Sequence, residues 1–134
     1  MSGLVLKLGP RERVLVNGVV VENGDRRTKL HILTRNANIL RLRDALHPED
    51  VKTPVSRVCY ILQLMLSGET SFDAGRLQAL RGVEQLQAAL TDAKSTAWLE
   101  SAKAQLRDGN VYTALKSLRR LLPVEAVLLK NAQT

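Results

Sequence analysis

The sequence predicts an α+β protein in two parts. A small antiparallel β-sheet of about five strands, barrel-like, occupies residues 1–47, and a helical bundle of about four helices occupies residues 53–134. Three observations point there. Apolar residues alternate with polar ones through the first 44 positions, the period of a pleated strand. Tight-turn dipeptides break that alternation every few residues. After Asp44 the apolar spacing changes to the helical three-and-four pattern, bracketed by capping residues.

Leu4, Leu6 and Leu8 alternate with Val5 and Lys7 in an opening strand, which Gly9-Pro10 ends. A second strand runs from Arg13 to Val16. Asn17-Gly18 is the dipeptide most favoured in a two-residue hairpin, because both residues accept positive φ. Val19 to Glu22 returns as the third strand, and Asn23-Gly24-Asp25 makes the next turn. In the fourth strand Leu30 and Ile32 share one face, Lys29 and His31 the other. In the last, Leu40 and Leu42 are expected on the inner face with Arg41 and Arg43 on the outer one. Strands joined by such short turns pair antiparallel. A sheet this small, with open edges, calls for a partner, and a homodimer is expected.

His47 to Asp50 is a connector. Thr53-Pro54 then has the form of a helix start, with Thr as N-cap and Pro in the first turn. The helix from Val55 to Ser67 is apolar on nearly every side, which places it at the centre of the bundle or in a subunit interface, and Gly68 stops it. Ser71 or Asp73 caps a second helix reaching about Leu90, with Leu77, Leu80, Val83, Leu86 and Leu90 on its inner face. Gly82 inside it hints at a neighbouring backbone close by. A third helix starts at Ser95 and ends before Gly109. Asn110 caps a fourth, which Pro123 interrupts before one or two more turns from Val124 to Leu129; the last residues should fray. The span 95–130 has the texture of a single tetratricopeptide hairpin. No second copy follows at a period of about 34 residues, so a plain helical hairpin closing a bundle is the simpler reading.

The chain has 134 residues, a net charge of +7 and a pI near 10.1. Nine Lys/Arg against four Asp/Glu fall in residues 1–44, so the basic character belongs mainly to the strand region. Such a balance suits an acidic partner such as nucleic acid. Lys7, Arg13, Arg26, Arg27, Lys29, Arg41 and Arg43 are the candidate RNA contacts, with Arg35 beside them. Aromatics are absent from the strands, which argues against a base-stacking platform. Phosphate contacts from arginine and lysine would then dominate. Catalysis finds no footing. His31 and His47 lack companions at metal-ligand spacing, serines and Cys59 lie in no nucleophile arrangement, and the glycines form no phosphate loop. No cofactor or metal is expected. Cys59, the single cysteine, reads as a buried thiol in a cytoplasmic protein. No apolar run reaches the ~20 residues of a membrane span, and Met1-Ser2-Gly3 lead into a strand rather than a signal peptide.

Four blocks carry a resemblance. Leu4 to Leu8, Arg11 to Gly18, Glu22 to Arg27 and Asn38 to Asp44, with Thr53-Pro54, Tyr60, Leu66-Ser67-Gly68 and Tyr112 to Arg119, closely resemble the FlbT family of flagellar biosynthesis regulators. The resemblance covers essentially the whole chain. It implies a post-transcriptional repressor that associates with the flagellin mRNA 5′ leader, represses translation and promotes decay. Some family members favour flagellin production, so the direction of regulation is left open. Flagellin and FlaF are the implied protein partners. In the alternative reading the bundle binds one of them through Tyr112 and Leu115, and effects on RNA are indirect. The strand region is also faintly similar to CsrA, a five-stranded dimeric mRNA regulator, through its aliphatic first strand and its Arg43-Asp44 pair. It departs from CsrA at Leu42 and near His31-Ile32.

Overall fold

The computed structural model describes residues 4–132; Met1 to Gly3 and the last two residues, with the readings made on them, lie outside that range. The fold is α+β, five antiparallel strands followed by five helices. The strands form two small sheets rather than one. β1 (Leu4–Leu8) pairs with β4 (Thr28–Ile32), and β2 (Arg13–Val16) lies between β3 (Val19–Glu22) and β5 (Ile39–Arg41). Leu6 faces Leu30 and Leu4 faces Ile32 across the first pair, so the alternating leucines make one apolar underside. Asn17 and Gly18 have φ of 47° and 84°, the left-handed pair that a two-residue hairpin requires. All four residues of β3 are exposed, and among the described residues its outer edge carries no partner strand.

β5 is shorter than its sequence pattern suggests. It stops at Arg41, and Leu42–Asp44 turn into a single 3-10 turn. Leu42 is therefore exposed rather than inward. Arg41 lies directly opposite Val14, which is fully buried, so its side chain enters on the sheet's inner face. The expectation that Arg41 points to solvent beside Arg43 is corrected by this register.

α1 (Pro54–Ser67) packs against β5 and against three further helices, α2 (Phe72–Ala89), α4 (Val111–Arg119) and α5 (Leu121–Ala132), the central place its all-round apolarity predicts. Thr53 and Ser56 cap it reciprocally, and Gly68 closes it at φ 83°. α2 (Phe72–Ala89) is capped by Ser71. Its buried stripe is Gly75, Ala79, Val83 and Leu86, while Leu77 faces out. Small residues won that face because the two helices approach closely: a Cβ on Gly82 would sit 2.5 Å from Val58 Cγ2. The neighbour is thus a side chain of α1, not a backbone. α3 (Ala93–Arg107) begins ahead of Ser95, since the Asp92 carboxylate accepts the Ser95 N–H at 3.0 Å. α4 (Val111–Arg119) is capped by Asn110. α5 (Leu121–Ala132) is a full helix. Pro123 falls in its first turn, where no intrahelical donor is needed, and so does not interrupt it.

Two polar contacts fasten the connector and the bundle. Gln63 both accepts from Leu46 N–H (2.6 Å) and donates to Leu46 C=O (3.0 Å). The buried Glu125 carboxylate accepts the Val55 N–H at 2.9 Å, an acid on the positive end of α1. Cys59 is fully buried, and burial pushes its thiol up to about 12. Native protein at about pH 8 should therefore resist a thiol reagent and react only once denaturant unfolds it, because the thiolate is the reactive form. Prompt labelling of native protein would contradict this core.

Candidate nucleic-acid interface

Lys7 on β1 and Lys29 on β4 are directly opposite each other on the outer face of the two-stranded sheet. Like charges in that position repel, at a cost of roughly 0.2–1 kcal/mol. Arg27, just before β4, and Arg43, in the turn after β5, complete an open cleft of about 740 Å³ whose lining also includes Thr28 and Arg41. Lys7, Arg27 and Lys29 are exposed and form no ion pair among the described residues. Arg43, largely exposed, lies 3.5 Å from Glu12 and 3.9 Å from Asp44. Three unpaired cations and a loosely held fourth thus converge. The Asn23 amide sets the Arg26–Arg27 loop beside β1, donating to Gly9 C=O at 2.7 Å and Arg26 C=O at 2.9 Å.

Behind the cleft lies an ion pair that sequence reasoning missed. Arg41 Nε donates to Glu12 Oε2 at 2.8 Å and Nη2 to Glu12 Oε1 at 3.0 Å, a two-pronged contact with both side chains largely covered. Arg41 also donates to the Lys7 carbonyl. Glu12 accepts the Gly9 N–H at 3.0 Å. The Arg41 hydrogen bond holds the Glu12 carboxyl at about 2, well below the usual value of 4.5, against an opposing push from burial. Glu12 in turn holds Arg41 protonated to still higher pH. Burial pushes the Tyr112 hydroxyl up, with the Arg41 guanidinium beside it pulling the other way. Arg119 of α4 reaches Asp44, donating to its carbonyl at 2.8 Å. Through Lys7, Glu12 and Tyr112, Arg41 thus ties β5 to β1, to the loop before β2 and to α4, and it is a structural residue that backs the cleft.

The remaining candidates separate. Arg13 pairs with Glu22 at 2.9 Å on the other sheet, outside the cleft. Arg26 is exposed in the turn but does not line the cleft. Tyr112 and Leu115 are both largely buried, Tyr112 showing only one edge to a recess lined with Asn36 and Thr113. One signal for Glu12 was available: it stands two residues before the inward Val14, and a carboxylate on an inner face requires a cation. Among the described residues no three His, Cys, Asp or Glu come together as a metal site, and no helix is long and apolar enough to cross a membrane.

Residues 4–129 match the family model described as Flagellar protein FlbT. The chain is 32% identical over 124 residues to a probable flagellum biosynthesis repressor protein FlbT of Chelativorans sp. (strain BNC1), covering 92% of this chain and 83% of that one. It is 33% identical over 128 residues to a protein from Bradyrhizobium diazoefficiens (strain USDA 110) described as probable flagellum biosynthesis repressor protein FlbT 1, covering 93% and 84%. To the flagellum biosynthesis repressor protein FlbT of Caulobacter vibrioides (strain CB 15) it is 32% identical over 128 residues, covering 91% and 86%. No solved structure matches the chain.

Proposed function

The chain belongs to the FlbT family of flagellar proteins, and from that premise we propose that it represses flagellum biosynthesis after transcription, in the cytoplasm, by holding the flagellin mRNA 5′ leader in its basic cleft. One observation carries the reading: Lys7 and Lys29 oppose each other without a carboxylate between them, an arrangement that an incoming phosphate relieves. Arg27 and Arg43 extend the same cationic track. With no aromatic on its lining, the cleft grips backbone phosphates and the bases do not stack on it. Occupancy of the leader then represses translation and opens the message to decay. Contact with flagellin or FlaF through Tyr112 and Leu115 is not part of this reading, because both side chains are buried.

The test is a titration of leader RNA against the protein over a range of salt. Four phosphate contacts on a single strand give a slope of log K against log salt of about −3. Binding of that steepness supports the cleft. A protein that purifies at low salt free of nucleic acid and ignores the leader is instead a protein-binding module.

The working form is a homodimer built on β3. Val19, Val20 and Val21 are 61%, 59% and 36% exposed on an edge that no strand pairs with among the described residues, the kind of strand that adds to a second copy. Val20→Lys is expected to give a monomer in light scattering where the parent chain is a dimer. A parent chain already monomeric at micromolar concentration would contradict the dimer.

A further inference from the structure

A second surface, sharing no lining residue with the cationic cleft, lies on the helical side. α1 forms the floor of an apolar groove of about 620 Å³, walled by the C-terminal half of α2 and by α5. Val58, Ile61, Leu86 and Leu129 supply apolar lining. Arg57 and Arg81 also line it; both are exposed and form no ion pair among the described residues. The carboxylate on the lining, Glu125, is already committed to the Val55 N–H. Residues 78–89 of α2 run along one wall, a length of about 17 Å, or three turns of a docked helix.

We infer that this groove receives an amphipathic helix of another protein, with an apolar stripe flanked by acidic residues. An apolar floor between two helical walls is the geometry of helix-in-groove recognition. Two arginines with no carboxylate partner among the described residues, Arg57 making only a long 3.5 Å contact to the Lys52 carbonyl, select carboxylates on the incoming helix. A second copy of this chain is the poorer occupant. Two grooves placed face to face bring four arginines together on partners that each carry a net charge of +7. The inference goes beyond the RNA reading, because α1, α2 and α5 contribute nothing to the lining of the cationic cleft.

The test uses the full chain and a fluorescent designed peptide of about 18 residues, long enough for three turns and its ends. Its leucines follow the helical three-and-four spacing, with glutamates flanking the stripe; a matched peptide carries lysines instead. The acidic peptide is expected to bind and the basic one not. Arg57→Glu/Arg81→Glu should weaken the acidic peptide by about fivefold to tenfold and admit the basic one. Leu129→Glu, at a position 42% exposed and so safe for folding, should remove binding while leaving leader RNA affinity intact. Equal binding of the two peptides, or arginine variants that bind the acidic peptide normally, would overturn the inference. So would loss of peptide binding in Lys7→Glu/Lys29→Glu, which would place the peptide in the cationic cleft. A dimer that Leu129→Glu converts to monomer would assign the groove to a second copy instead.

Discussion

Arg41→Ala is expected to destabilise the protein by about 3 kcal/mol, measured as a shift in urea midpoint, because it leaves the largely covered Glu12 carboxylate with only the exposed Arg43, 3.5 Å away, in place of its two-pronged partner. Arg41→Lys should fall in between, since an ammonium keeps the charge but loses the two-pronged geometry. The pair also has a pH signature. The folded carboxyl of Glu12 sits at about 2 and its ordinary value is 4.5. A carboxyl lowered on folding contributes stability in full above its unfolded value and loses it as pH falls toward the folded one. The stability gap between the parent chain and Glu12→Gln should therefore be widest above about pH 5 and shrink steadily down to about pH 2. A gap constant over that range, or an Arg41→Ala protein with parent stability, would remove the pair as the joint between sheets and bundle.

Lys7→Glu/Lys29→Glu is expected to weaken leader RNA binding by about a hundredfold at moderate salt. It removes two phosphate contacts and adds two repulsive charges, and the salt slope should fall by roughly half or more. Stability separates this outcome from simple damage. Lys7→Glu alone sets a carboxylate opposite Lys29, turning a repulsive cross-strand pair into an attractive one worth roughly 0.2–1 kcal/mol. That single variant should melt higher than the parent and still bind RNA less well. A variant both less stable and unchanged in affinity would show that the two lysines serve the sheet and not the leader.

Much of the fold was legible because its signals are local. Asn17-Gly18 in the left-handed region, Thr53-Pro54 at the start of α1 and Gly68 at its end all do what the backbone chemistry of those residues dictates. The site was legible only in part. Lys7 and Lys29 fall on the outer face by alternation, and that reading agrees with the structure. Arg41 was misplaced because alternation gives a face but not its cover. β5 stops after three residues, and its register with β2 sets Arg41 beside Val14, under α4 and against Glu12. On α2 the expected face holds at Val83, Leu86 and Leu90, and only its first turns differ, for a related reason. Leucine spacing nominated Leu77, yet the close approach to α1 selected glycine and alanine. The groove on the helical side depends on where α5 folds back onto α1, through Glu125 and Val55, and no sequence period records a contact 70 residues long.

Photocrosslinking the protein to the flagellin leader and mapping the modified peptides tests the cationic cleft most directly. The adducts are expected on β1 at Lys7, on the segment of Arg27 and Lys29, and at Arg43, and excess unlabelled leader should suppress them. Adducts confined to the helices, or spread over Arg13 and the rest of the basic surface without competition, would contradict it.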